Sequence, residues 1–525
     1  MSAQLKLKQA LLAAAMGLTL AMPSAMAASF SFGVMSDTQW KSTPGGENSV
    51  ATGIIDSLNQ QFINAKVDFV VQVGDLTDNG SSTAMQTRAN HAQALYDNGI
   101  GFMPLRGNHE SSSSAAIQFQ SLYPQTQGSG ANALSGATNF SSPTAMPGLS
   151  YSFEYKGATF VMLDQFSRPS SPTSQSVLGQ DQVDWVSGVL AGKSSTSNAF
   201  VFSHKGLITE NHADTLFGSN PSSAPALQNQ FMSSLADNGV HYLWGGHDHM
   251  DNRAVITSPD GLSTVQDITT SSNSYKFYIP QTGSNINDVR YNNPTRETPI
   301  SQQLFTIGYY IVNVDGPKVT VDFYSSPNGC DGDCDLTSLP ALSFSKQETF
   351  GYSLNGREFL VQAGASFAGI SDSIAAGDGF IGTSMQFLGG INGNNTNIYD
   401  GRATVSDVNT GWTSREEAGD AMLRSDVLTL WGVSDLSNSE ANSVILSMSY
   451  TGDGSVRLVR KIDGNWVDAG TDMGFDAGTH TAWATITQSA IESGDFAVAA
   501  VPEPETYALM LVGIGLVGFM ARRKR

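Results

Sequence analysis

The apolar and polar positions fall into two successive patterns. From Ser29 onward, short apolar runs (FSFGVM, VDFVVQV, IGFMPL, TFVMLD, NAFVFS and HYLWGG) are bounded by polar or glycine-containing turns, which predicts buried strands. Between them lie segments with helical spacing, such as VATGIIDSLNQQFINA, which sets Val50, Ile54, Leu58 and Phe62 on one face. Strands alternating with amphipathic helices predict an α/β architecture. A Ser/Gly/Ala-rich insertion interrupts the alternation from Ser111 to about Gly148. At 310–324, YIVNVDGPKVTVDFY places Asp-Gly between two alternating runs, a hairpin signal that closes the first region. From about Glu348 the pattern changes to short alternating strands (DVLTLWGV, SVILSMSY, SVRLVRK) separated by turns such as TGDG and DGN, which predicts an antiparallel β-sandwich.

Both ends depart from these patterns. Lys6 and Lys8 precede an apolar run from Ala10 to Met22 and then Ala25-Met26-Ala27, the order of parts in a secretory signal peptide, so residues 1–27 are expected to be removed on export. The other end, VPEPETYALMLVGIGLVGFMARRKR, carries Pro502-Glu503-Pro504, an apolar stretch from Tyr507 to Ala521, and the basic run Arg522 to Arg525. That stretch is shorter than the roughly 20 residues of a spanning helix, and basic charge after it marks a cytoplasmic side, so a transient transmembrane stop is expected rather than a lasting anchor. The tail resembles the PEP-CTERM sorting signal of Gram-negative bacteria. The resemblance implies cleavage near the tripeptide by an exosortase, and delivery to the cell surface or extracellular matrix.

Charge narrows the functional classes. Setting aside Lys6, Lys8 and the four terminal basic residues leaves 21 basic side chains, and setting aside Glu503 and Glu505 leaves 45 acidic ones, a body near −24. Such a body repels nucleic-acid backbones, which excludes a nucleic-acid-coating role and suits cation binding. The two cysteines, Cys330 and Cys334, sit close together in NGCDGDCDL, and an even pair in an exported chain predicts a small disulfide loop.

The chemistry concentrates where the predicted strands end. Asp37 follows the first run, Asp75 and Asp78 the second, Asn108 and His109 the third, His204 the run ending FSH, and His247 and His249 the run ending GGHDH. Asp and Asn favour turns after strands in any case. Five strand ends in succession carry the argument, because ligands of α/β sheets gather at the carboxyl ends of strands. Gly74, Gly107, Gly206 and Gly246 flank these positions. Carboxylates, an Asn carbonyl and imidazoles form a mixed oxygen and nitrogen set suited to two divalent or trivalent ions, and no thiolate is present to make a structural zinc knuckle. Paired ions of this kind act in displacement at phosphorus.

The order D-x-[HQ], GDxxD, GNH[DE], H and GHxH, over roughly residues 29–325, resembles the calcineurin-like metallophosphoesterases. The resemblance implies two packed mixed β-sheets flanked by helices, a four-layer sandwich, as a catalytic domain at 28–327. A linker at 328–347 with the Cys330/Cys334 loop, a β-rich accessory domain at 348–500 and the sorting tail at 501–525 complete the expected order. Carried over residue by residue, the resemblance gives Asp37, Asp75 and His249 to a first ion, with Gln39 where many members have His. It gives Asp75 as bridge, with Asn108, His204 and His247, to a second. The ions implied are manganese, iron or zinc. His109 is assigned as proton donor to the leaving oxygen, backed by Asp78, since a carboxylate beside an imidazole favours its protonated form. An amide oxygen at Gln39 is a weaker donor than imidazole, which loosens the first site. Asn79 stands where the protein serine/threonine phosphatases carry Arg, so that branch's guanidinium clamp is missing.

The expected function is a secreted, surface-delivered phosphoesterase that cleaves phosphate mono- or diesters by attack of hydroxide generated at the metals. One rival is a nucleotidase or cyclic-nucleotide phosphodiesterase, whose motifs are shared. The other is a matrix protein whose sandwich binds exopolysaccharide beside a degenerate metal site, against which the retention of Asp75, Asn108 and His109 speaks. Outside the motifs, Asp164 is read as support for the site or a turn residue, Arg106 as structural, His241 as packed and His212 as solvated. Lys205, Tyr242 and the loop 271–296, with Tyr275, Tyr278, Arg290 and Tyr291, flank the ligands and are secondary candidates for substrate contact.

Overall fold

A computed structural model of the chain describes residues 28–40, 45–169, 175–281, 296–327, 341–361, 366–367, 383–388, 405–432, 443–487 and 490–501. The expected signal peptide, the Cys330/Cys334 loop, the sorting tail beyond Val501, and Arg290 and Tyr291 lie outside the described residues.

The first region runs β1 (Phe30–Met35), α1 (Thr52–Ala65), β2 (Phe69–Val73), α2 (Ser82–Asn90), α3 (Gln93–Asp97), β3 (Gly101–Leu105), α4 (Ser113–Leu122), β4 (Ala137–Ser141), β5 (Tyr151–Tyr155) and β6 (Ala158–Leu163). It continues α5 (Gln180–Gly192), β7 (Ala199–Ser203), α6 (Pro225–Asp237), β8 (Tyr242–Gly245), β9 (Asp251–Thr257), β10 (Thr264–Thr269), β11 (Glu297–Gln303), β12 (Thr306–Asp315), β13 (Lys318–Pro327) and β14 (Ser345–Ser353). Two mixed sheets result, in orders β14-β13-β12-β1-β2-β3 and β11-β9-β10-β8-β7-β6-β5-β4. In the first, β1, β2 and β3 are parallel, while the predicted hairpin β12–β13 lies antiparallel against β1 with Phe30 opposite Val314. In the second, β6, β7, β8 and β10 are parallel.

Layering explains the apolar runs. Between the sheets Phe32, Phe69, Val71 and Val73 meet Phe160, Phe200, Phe202 and Trp244 in one buried cluster. The other face of the first sheet, with Val70 and Phe102, is covered by Ile54, Leu58 and Phe62 of α1 and Phe119 of α4. The other face of the second sheet, with Val161, Val201 and Leu243, is covered by Val186 and Leu190 of α5 and Phe231 and Leu235 of α6. Central strands buried on both faces are predominantly apolar, which is why they read as near-continuous runs. The Ser/Gly/Ala-rich insertion is ordered locally: Ser112 caps α4 by accepting a hydrogen bond from Ala115 N at 3.1 Å, and β4 forms an edge.

The described residues after β14 form two antiparallel sheets around a third core that includes Val408, Leu428, Leu430, Leu446, Ala484 and Phe496. The predicted runs appear here as β15 (Val427–Trp431), β16 (Ser443–Ser449) and β17 (Val456–Ile462). The first sheet reaches beyond 348, since β14 pairs with β13 from Lys318↔Ser353 to Ser325↔Ser345, so the expected start of the accessory region falls inside a strand of the first. At the seam Arg253 of β9 is buried. It donates to Asp407 Oδ2 at 2.8 Å on the sandwich side, pairs with Glu348 of β14, and stacks over Phe350.

Candidate metal centre

The ends of the parallel strands converge on one buried cluster. Asp37 and Gln39 leave β1, Asp75 leaves β2, Asn108 and His109 leave β3, His204 leaves β7, and His247 and His249 leave β8. Two overlapping groups form: ligand atoms of Asp75, His204 and His247 lie within 4.8 Å of one another, as do those of Asp37, Asp75 and His249. Asp75 belongs to both, so the neighbouring histidines of GHDH serve different groups. Asp37, Asp75, His247 and His249 all adopt left-handed backbone, with φ of 49°, 42°, 75° and 54°. Non-glycine residues held there carry strain, a feature that clusters at functional sites. Close backbone packing allows it. A methyl at Gly246 would lie 2.5 Å from Asp37 Oδ2, and one at Gly107 would overlap Asp75.

Each imidazole is oriented from behind. His204 donates through Nδ1 to Val73 O at 3.0 Å, leaving Nε2 2.9 Å from Asn108 Oδ1 and 3.3 Å from Asp75 Oδ1. His249 turns Nδ1 to Ser272 Oγ and Lys276 O, both at 3.1 Å, and Nε2 toward Asp37 Oδ1 at 3.5 Å. His247 does the reverse: Nε2 faces Asp214 Oδ1 at 3.3 Å, which leaves Nδ1 for the cluster. A hydrogen bond on one ring nitrogen fixes which nitrogen keeps a free lone pair.

The residues fit a pair of cations. Burial pushes the Asp37 carboxyl up to about 7, with Asp75 adding to the rise against the opposing pull of His204. Burial alone would lower the His204 pKa, yet Asp75 and Asp37 raise it to about 9, so the cluster draws positive charge. Burial holds His247 down, at about 4, and pushes His249 well below its ordinary value, which keeps both imidazoles neutral as ligands must be. Gln39 donates through Nε2 to Asp75 Oδ2 at 2.8 Å and lies 3.1 Å from His249 Nε2, while its Oε1 is buried with no hydrogen-bond partner. A half-turn of this amide would give the orphaned oxygen to a cation held by Asp37, Asp75 and His249.

His109 stands beside the cluster, with Nε2 3.7 Å from Asp75 Oδ2. Its Nδ1 donates to the main-chain oxygen of Asp78 at 2.6 Å, whereas the Asp78 carboxylate stays 3.8 Å away and is held by Lys276 Nζ at 2.8 Å. Asp78 thus supports His109 through its backbone rather than through the expected carboxylate. Arg106 is taken up by a buried bidentate pair with Asp164, at 2.6 and 3.0 Å, away from the cluster.

Several residues here escaped the motif reading. Glu110, wholly buried, accepts from the main-chain nitrogens of Leu76, Thr77 and Gly107 and ties the β2 loop to the β3 loop. Asp248, also buried, accepts from the main-chain nitrogens of Glu210, Asn211 and His212 and from His212 Nδ1 at 2.8 Å. His212 is therefore not a solvated loop residue: it stacks on His247 with ring centres 4.0 Å apart. Asp214, which pairs with Lys205, reaches His247 from the same loop. Tyr278 lies edge-on to both His212 and His249, at 5.0 Å. Acidic residues inside GNHE and GHDH were the available signal, but their partners are contacts across the fold.

Two mixed sheets thus bring the candidate ligands together at their strand ends. Residues 30–251 match the model of the calcineurin-like phosphoesterase family, and residues 500–525 match the PEP-CTERM protein-sorting motif, a signal for export and surface sorting in Gram-negative bacteria. Among solved structures the chain is similar to a purple acid phosphatase from yellow lupin (Lupinus luteus) seeds, 13% identical over 60% of this chain and 57% of that one, with a TM-score of 0.39. It is also similar to a dimetal phosphatase from Danio rerio, 16% identical over 56% of this chain and 95% of that one, with a TM-score of 0.34. A third, GAP50, the anchor in the inner membrane complex of Plasmodium, is 14% identical over 60% and 89% of the two chains, with a TM-score of 0.34. No curated protein sequence matches.

Proposed function

We propose that the protein is a surface-sorted phosphoesterase with a dinuclear metal centre, its tail processed by an exosortase. The observation that carries this is the pair of overlapping ligand groups sharing Asp75. When bound, two such ions supply Lewis-acid stabilisation of the phosphoryl oxygens and acidify the attacking water. Asp37, Gln39, Asp75 and His249 would hold the first, and Asp75, Asn108, His204 and His247 the second. His109 moves the proton. Its Nδ1 donates to an amide carbonyl, which only accepts, so Nδ1 keeps its hydrogen and Nε2 is the nitrogen that gains and loses one. Nε2 is also the atom that faces the cluster, suited to protonating a leaving oxygen there.

The test is hydrolysis of an aryl phosphate monoester and an aryl phosphate diester with added manganese, beside the Asp75→Asn variant. Turnover that disappears in the variant supports the reading, and the faster ester gives the class. Unchanged turnover in Asp75→Asn would remove the site from the chemistry.

A further inference from the structure

The GDxxD loop brings no cation at Asn79, a neutral amide that turns its Nδ2 to Ser49 Oγ at 2.9 Å. The loop that follows β10 does bring one, Lys276, to that side. Lys276 is anchored by its own carbonyl, which accepts from His249 Nδ1 at 3.1 Å and from Ser272 Oγ at 2.7 Å. Its side chain then crosses to the Asp78 carboxylate on the opposite sheet's loop, at 2.8 Å, over the ring of Tyr275. Asp78 is the residue whose main chain holds His109, so the ammonium stands on the side of the cluster occupied by the proposed proton donor. An ammonium has three donors. Lys276 Nζ gives one to Asp78 and meets no other acceptor among the described residues, although the side chain is only 16% exposed.

We propose that Lys276 is a specificity-determining residue that binds an anionic group carried by the leaving group, so that the preferred substrates are organic phosphates whose departing portion is itself an anion. This rests on the phosphoesterase reading and adds the substrate class to it. The two remaining ammonium donors form charge-assisted hydrogen bonds with the second anionic group, in a partly desolvated position where such bonds are stronger than in water. Asp78 keeps the ammonium in place when substrate is absent and keeps one donor occupied when it is present. A neutral leaving group leaves the other two donors to water, so the site distinguishes the two classes by a difference in affinity.

The experiment is calorimetric binding of two non-hydrolysable isosteres to the manganese-loaded protein, 3-phosphonopropionate with its second anion and n-propylphosphonate without one. The protein is expected to prefer 3-phosphonopropionate by about tenfold or more, a preference lost in Lys276→Met and largely kept in Lys276→Arg. Manganese content is measured in each variant, and Lys276→Gln reads the same difference should the Met variant lose metal. Equal affinity for the two phosphonates in the unaltered protein overturns the inference while leaving the phosphoesterase reading intact. So does a preference that survives loss of the ammonium. Binding of neither phosphonate, with manganese present and no ester hydrolysed, overturns both.

Discussion

Replacing Gly107 with Ala is the smallest change that tests the architecture of the centre. Gly107 precedes Asn108 and packs its α-carbon against Asp75, the residue common to both ligand groups. An added methyl would overlap Asp75 Oδ1 and its main-chain nitrogen and lie 2.7 Å from the carboxyl carbon. Ordinary contact between carbon atoms is about 3.5–4.0 Å, so the two loops must part by roughly 1 Å. Neither side can yield easily. Asp75 is wholly buried in left-handed backbone, and Gly107 N is itself tied to Glu110 Oε2 at 3.1 Å. Overpacking of this kind costs about 1–3 kcal/mol in stability, and a 1 Å displacement of reacting groups costs about 100-fold in rate. The expected result is a folded protein with a lower melting temperature, less than one ion per chain, and turnover reduced about 100-fold. Elemental analysis of the purified variant, thermal unfolding and aryl phosphate hydrolysis measure the three. Two tightly held ions with turnover within threefold of the unaltered protein would refute the claim that this contact positions Asp75.

Three further outcomes follow from the same geometry. His109→Ala should keep both ions and slow turnover about 100-fold or more, read by elemental analysis and kcat, because His109 is placed beside the ligands and not among them. Arg253→Met should lower stability by about 3 kcal/mol in thermal or denaturant unfolding, since it leaves Glu348 and Asp407 without their cation in a buried seam. His241, stacked on Tyr352 at 3.8 Å, is held down at about 4 by burial, so the unfolded chain binds its proton more readily. Its contribution is fully present above about pH 6.5 and lost as pH falls toward 4, on the order of 3 kcal/mol; His241→Phe should flatten that part of the stability profile in paired denaturant titrations.

The sequence was most legible where burial is uniform. FSFGVM is β1 from end to end, and the other five apolar runs each coincide with most or all of a strand of the two sheets, because central strands covered on both faces are predominantly apolar. It was least legible at edges and seams. The edge strand β4 has all five residues half-buried or exposed with no alternation, and β9 begins Asp251-Asn252-Arg253, polar residues buried against neighbouring strands and the sandwich. The candidate ligands could be proposed from the sequence because each sits at a strand end within a short motif. Lys276, Asp214 and the loop held by Asp248 were not. Their roles depend on contacts with residues tens to hundreds of positions away, such as Lys276 with Asp78, and no local pattern encodes such pairings.

The position of the sandwich follows from the same reasoning about strain. Asp37, Asp75, His247 and His249 hold backbone conformations that L-residues avoid, and such conformations persist only where the surroundings overdetermine them. For Asp37 and Asp75 the surroundings are the parallel strands β1 and β2 of the first sheet, with β3 beyond β2. For His249 they are a short turn leading straight into β9, a strand near the edge of the second sheet, bordered only by β11 on its outer side. Four residues past His249, Arg253 ties that strand at once to β14 through Glu348 and to the sandwich through Asp407. Val255 of the same strand packs with Ile300 of β11 and Val405 at the sandwich border. Strand β9 is thus held by β10 and β11 on its two edges and by the Arg253 ion pair to the sandwich from the side, so the candidate ligand His249 leads into a strand fixed from three directions.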